Sequence, residues 1–252
     1  MTCAGTKAET NMKTLICLIL DRSGSMSGRE SDVINGANGF IDKQKALPDP
    51  ASIALVRFDS EGIERFRAMA PLAECAAITE EDYQPRGGTP LLDAVGQTIM
   101  ALEGDWRREQ PERAIVVIVT DGLENASREY TKAKVKELIE ARQASGKWAF
   151  IYLGANVDAF AEGGAMGIAA ANTAGYVSSA AGLRATYNSA SASVSHMRTT
   201  GQTLAHNLGG NINEDGSVTK RPEEGPEAEP EAPKPSALPA SHKSPAAWTP
   251  PK

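Results

Sequence analysis

Residues 14–28 read TLICLILDRSGSMSG, and the two halves of that stretch follow different rules. The first eight positions form a nearly unbroken apolar run rich in Leu and Ile. A run of this length and type fits a strand buried on both faces, as in a parallel sheet. It stops at Asp21, and DRSGSMSGRES is loop chemistry. Beyond the loop, Val33, Ile34, Ala37, Phe40 and Ile41 recur at spacings of three and four, the period of an amphipathic helix. Pro48 stops that helix.

The same alternation continues along the chain. SIALVRFD (52–59) predicts a second strand, and GIERFRAMA (62–70) follows after a short turn, so the pair reads as a hairpin with one antiparallel strand at the sheet edge. A long loop over 71–90 ends in RGGTP. LLDAVGQTIMALEG predicts a helix with Leu92, Val95, Ile99 and Leu102 on one face. RAIVVIVTDG (113–122) is the strongest strand signal in the chain. YTKAKVKELIEARQASG reads as a helix with Gly146 at its end, and WAFIYLGA (148–155) as another buried strand. NVDAFAEGGAMG predicts a short helix, NTAGYVSS a last short strand, and the Ala- and Ser-rich segment 179–207 a final helix interrupted near Gly201. Strands alternating with helices imply an α/β fold with a doubly wound, mostly parallel central sheet and helices on both faces. The first 12 residues read as a flexible lead, 13–207 as the domain, and 208–252 as a disordered tail rich in Pro, Glu and Ala. Residues 221–252 hold nine of the fifteen prolines and almost no large apolar groups, too few to offset the entropy of ordering.

In parallel α/β sheets, ligands bind beyond the carboxyl ends of the strands. Asp21, Ser23 and Ser25 set one carboxylate and two hydroxyls at alternate positions just past such an end. Thr89 closes the RGGTP loop before a helix, and Asp121 follows the strand AIVVIVT. All five fall on one rim. Two carboxylates and three hydroxyls suit Mg²⁺ or Mn²⁺, hard cations that favour six oxygens, and the lack of neighbouring Cys or His disfavours zinc. Each feature also has a plainer reading as a helix cap or turn former.

Together, ICLILDRSGSM, RGGTPLLDAV and IVVIVTDG, in this order and spacing, resemble the metal-ion-dependent adhesion site of the von Willebrand factor A family, over about residues 13–207. The resemblance implies one metal held by Asp21, Ser23, Ser25, Thr89 and Asp121. It also implies a protein partner, often one whose acidic side chain fills the open metal position. Around the core of the site, Asp93, Asp59 and Asn125 are candidates for a supporting shell, and Arg22 and Met26 for the ligand rim.

Bulk properties narrow the alternatives. With 32 acidic against 26 basic residues and no basic patch, a nucleic-acid partner is not expected. No apolar run approaches the ~18 residues of a membrane span. Cys3, Cys17 and Cys75 form no metal spacing, and Cys17 reads as a small buried hydrophobe. Sparse cysteines and a polar N-terminus point to the cytoplasm. The three histidines (196, 206 and 242) are scattered, and neither a nucleophile elbow nor a phosphate loop is present. The expected function is therefore a non-enzymatic, metal-dependent protein-interaction module. The rival readings are a metal-dependent hydrolase and a scaffold acting through its Pro-rich tail.

Overall fold

The computed structural model describes residues 13–155 and 158–220. Eight strands form one sheet in the order β3-β2-β1-β4-β5-β6-β7-β8. The central four are β2 (Ala51–Asp59), β1 (Thr14–Asp21), β4 (Arg113–Thr120) and β5 (Trp148–Ala155). They run parallel, as unbroken apolar strands with helical crossovers must. β3 (Gly62–Pro71) returns antiparallel to β2 and forms the predicted edge hairpin.

Five helices cover the two faces: α1 (Glu30–Lys45), α2 (Leu91–Glu109), α3 (Lys132–Gln143), α4 (Ala159–Ala165) and α5 (Ala180–Thr200). Side chains alternate across a strand, so each face of β1 feeds a different core. Ile16, Leu18 and Leu20 pack with Val33, Ala37 and Phe40 of α1 and with Leu183, Val194 and Met197 of α5. Leu15, Cys17 and Ile19 pack with Val95, Ile99 and Leu102 of α2 and with Val135 and Ile139 of α3. Cys17 is thus the small buried hydrophobe its neighbours imply. α5 ends at Thr200 with Gly201 as its cap, so the interruption expected near Gly201 is the end of the helix.

The domain runs further than the sequence suggests. β6 (Thr173–Tyr176) pairs in parallel with β7 (Gly210–Ile212), and β7 pairs antiparallel with β8 (Val218–Lys220). The expected boundary at 207 therefore falls short, and a second antiparallel pair closes the other edge. Strands of three residues carry too few side chains to show a period of two. The expected N-terminal lead and the Pro-rich segment from 221 lie outside the described residues. Among the described residues no helix is long and apolar enough to cross a membrane.

This topology fixes where a site can form. From β1 the chain winds outward through α1 to β2 and β3, then crosses through α2 to β4 on the other side of β1. The order reverses between β1 and β4. A crevice opens at such a switch point, beyond the carboxyl ends of the strands. Asp21 ends β1 there, and Asp121 directly follows β4.

Candidate metal centre

Asp21 is almost fully buried, and both of its carboxylate oxygens accept hydrogen bonds. The Ser23 amide donates to Oδ1 at 2.8 Å, and Thr120 Oγ1 donates to Oδ2 at 2.6 Å. Both donors are neutral. Burial pushes the Asp21 carboxyl up to about 6, with the nearby Asp121 charge adding to it and the Thr120 and Ser23 hydrogen bonds working against it. Asp121 is buried as well, and its Oδ1 accepts from Ser25 Oγ at 2.6 Å. Ser25 Oγ lies 3.0 Å from Ser23 Oγ.

Thr89 reaches the same point from the third loop. A Cβ built on Gly122 would lie 3.1 Å from Thr89 Oγ1 and 3.3 Å from Ser25 Oγ, so the absence of a side chain at 122 lets both hydroxyls approach the end of β4. The loops are stitched together by backbone: Gly24 N–H donates to the Gly87 carbonyl at 3.0 Å, and Arg86 N–H to the Arg22 carbonyl at 2.9 Å. Gly87 has φ +65°, a conformation that glycine adopts without strain. The five oxygen-bearing side chains from three separate segments thus converge at the switch point.

Two of the solved structures that this chain resembles show the same architecture. One is the pilus adhesin SpaC from Lactobacillus rhamnosus GG, in an open conformation, with TM-score 0.54 and 15% sequence identity over 71% of this chain and 30% of that chain. The other is a von Willebrand factor type A structure from Catenulispora acidiphila, with TM-score 0.51 and 20% identity over 72% of this chain and 42% of that chain. The chain has a von Willebrand factor A fold. It spans less than half of either similar chain. No protein-family model and no curated protein sequence matches it.

Within this von Willebrand factor A fold, the flanking candidates separate into distinct roles. Asn125 faces the site from behind: its side-chain oxygen accepts from Thr89 N–H at 2.8 Å, and its own N–H donates to the Thr89 carbonyl at 3.1 Å. Asn125 therefore sets the position of Thr89. Asp93 is turned elsewhere. Its two oxygens accept from the amides of Arg128, Glu129 and Tyr130 at 2.7–2.9 Å, fastening the loop after β4 to the first turn of α2. Held by three backbone amides, Asp93 acts as an anchor for that loop.

Arg22 and Met26 do not line the rim. The loop after β1 makes a short 3₁₀ turn over Gly24–Met26. That turn tucks Met26 into the core shared with α1 and leaves Ser25 outside. Arg22 is buried against Asp59, with Nε 2.7 Å and an Nη 2.6 Å from Oδ2. Asp59 also accepts from Arg86 Nε at 3.1 Å and from the Glu61 amide at 2.7 Å. Asp59 thus clamps the DRSGS loop to the RGGTP loop from below and does not face the converging oxygens.

Four contributors were not among the candidate site residues. Thr120 looks like one more β-branched strand residue, yet its hydroxyl is the donor to Asp21. Tyr83 donates from the polar 71–90 loop to the Asp21 carbonyl, and a lone aromatic there was the available clue. Tyr176 donates to the Thr120 carbonyl at 3.1 Å. Glu124 accepts from the amides of Leu92, Ala126 and Ser127 at 2.8–2.9 Å, tying the loop after β4 to α2. Among the described residues no three His, Cys, Asp or Glu side chains cluster to hold a metal. The donor set at the rim is two carboxylates with hydroxyls.

Proposed function

We propose that this chain is a protein-interaction module that holds Mg²⁺ or Mn²⁺ with Asp21, Ser23, Ser25, Thr89 and Asp121 and captures an Asp or Glu side chain of a partner protein. One observation carries the reading. Asp21 and Asp121 are both buried at the switch point, and the hydrogen bonds they accept come from hydroxyls and an amide, with no cationic side chain among the donors. Two buried carboxylates without a cation are unfavourable, and a small divalent ion relieves that. The donor set is oxygen throughout, which fits a hard ion. When bound, the ion supplies a positive centre at an exposed rim.

This chain's own residues do the rest. Ser25 and Gly24 are exposed at the mouth of the site, so a partner group can approach from solvent. Arg22 is occupied by Asp59 and does not turn into the mouth. One of the structurally similar proteins is by name an adhesin, which accords with a binding role. The hydrolase reading gains nothing from the described histidines: His196 and His206 stack on each other, ring centroids 5.0 Å apart, around the far end of α5.

The test is a comparison of one captured partner bound to wild type in Mg²⁺, wild type in EDTA, and Thr89→Ala in Mg²⁺. Binding should be strongest in the first condition and weakened in both others. Equal affinity in all three would contradict the reading and move recognition elsewhere in the chain.

A further inference from the structure

β5, β6 and β7 separate β4 from β8, which forms the far edge of the sheet. A cavity of about 440 Å³ lies there, between α5 and the segment that carries β7 and β8. That volume is in the range of small-molecule sites, about 300–1,000 Å³. Small side chains leave it open. Ala185 and Ala192 stand two turns apart on α5, and Leu208 and Val218 line the strand side. Between the two alanines, Ser189 is 8% exposed and lines the cavity, and its hydroxyl has no hydrogen-bond partner among the described residues. Asn188 spends its side-chain oxygen on Lys43 at 2.6 Å, which leaves its NH₂ group to donate. His206 is stacked on His196, about one turn past Ala192 on α5. The pairing of Gly210 with Lys220 brings Lys220 back to the start of β7, where Asn207 and Leu208 enter. One end of the cavity therefore collects Lys220, His206 and Asn207. Among the described residues no Asp or Glu lines it, and Asp215 in the adjoining turn is held by the Ser217 amide and hydroxyl.

We propose that this cavity binds a small organic acid, with its carboxylate at Lys220, His206 and Asn207 and its apolar body against Ala185, Ala192 and Val218. Charge decides the class. A carboxylate gains charge-assisted hydrogen bonds from the ammonium and its neighbouring donors. An amine would meet Lys220 with no acid beside it to offset the repulsion. A bare inorganic anion would leave the apolar walls wet and forgo their burial. A polar substituent on the body of the acid can bond the Ser189 hydroxyl, which the protein itself leaves unused. The site is independent of the metal rim and of the partner capture proposed there.

The experiment titrates the full chain with benzoate, hexanoate and 4-hydroxybenzoate, each beside its neutral primary amide, and follows backbone amide shifts by NMR. EDTA is present throughout, so that no carboxylate is drawn to a metal. At least one acid should bind saturably, with shifts confined to residues 185–192, 206–208 and 216–220. Its amide should bind about 10-fold more weakly, the scale of one charge-assisted hydrogen bond. Lys220→Met should bring the acid down to the level of its amide. Ala192→Phe, at an exposed position, should fill the cavity and abolish binding of both with Tm unchanged. No saturable binding by any of the acids, equal affinity for acid and amide, or acid binding that survives both substitutions overturns the proposal.

Discussion

Asp59 and Asp21 end neighbouring strands on the same rim, and both are buried. Asp59, at the end of β2, sits under two guanidinium groups, Arg22 at 2.6 Å and Arg86 at 3.1 Å, and accepts the Glu61 amide as well. Asp21, at the end of β1, receives hydrogen bonds from the Ser23 amide and from hydroxyls, all neutral, with a second buried carboxylate close enough to raise its pKa further. The first is a finished ion pair that fastens two loops. The second is a charge left without a partner by the same stretch of chain, since Arg22 stands next to Asp21 in sequence yet turns away to Asp59. The contrast is between a buried carboxylate that the chain pairs with cations and one that it leaves with neutral donors, the feature on which the proposed metal site rests.

Removing the clamp should have the largest effect. Asp59→Ala leaves Arg22 charged in a buried position, and losing one partner of a buried pair costs about 3–5 kcal/mol. Urea unfolding should show a loss of that order. A change close to zero would mean that Arg22 finds solvent and that the pair is no clamp.

Asp21→Asn should act in the opposite direction. A carboxyl held at about 6, against the usual 3.8, is disfavoured in its charged form by about 2–3 kcal/mol near pH 7. An amide removes that penalty. Its NH₂ can donate to Thr120 Oγ1, whose own proton has the Gly122 carbonyl 3.2 Å away. In EDTA the variant should match or exceed wild type in urea midpoint, and a clear loss of stability would sink the idea of an uncompensated charge.

Asn125→Ala loosens Thr89 without touching the carboxylates. Support residues behind metal ligands typically matter about 10-fold or more in affinity, so calorimetric Mn²⁺ affinity should fall by about that factor while the urea midpoint stays near wild type. Unchanged affinity would show that Thr89 is placed without it.

The smallest effect is on pH dependence, and its sign is specific. Between about 4 and 6 the folded, metal-free protein binds a proton at Asp21 that the unfolded chain does not. Stability in EDTA should therefore rise by about 1 kcal/mol as pH falls from about 7 to 5. In Mg²⁺ the proton competes with the ion, so the Mg²⁺-dependent part of the stability should shrink over the same interval. Glu64, Asp82 and Glu109 have lowered pKa values and act in the other direction, but only nearer or below their unfolded values of 3.8–4.5. Urea melts at the two pH values, with and without Mg²⁺, check both signs.

How much of this was legible in the sequence follows the same division. The strands β1, β2, β4 and β5 announce themselves because burial on both faces demands continuous apolar runs. The five converging oxygens are legible because each stands at a strand end or loop end that the topology brings to one rim. The clamp was not legible. Arg22, Met26 and Asp93 look like loop and cap residues, and only the direction in which each side chain turns makes them an ion pair, a core residue and a loop anchor. Thr120 is invisible for a related reason: in a strand reading AIVVIVT, a threonine fits the β pattern whether or not its hydroxyl is used. β7 and β8 were missed because three residues cannot establish a period.

The central claim is that the rim between β1 and β4 is built around a missing positive charge. Calorimetric titration of Mn²⁺ into wild type and Asp21→Asn, at about pH 7, tests it most directly. Wild type should bind one ion, and Asp21→Asn should bind none while remaining folded and at least as stable in EDTA. No binding by wild type, or equal binding by both proteins, would contradict the account.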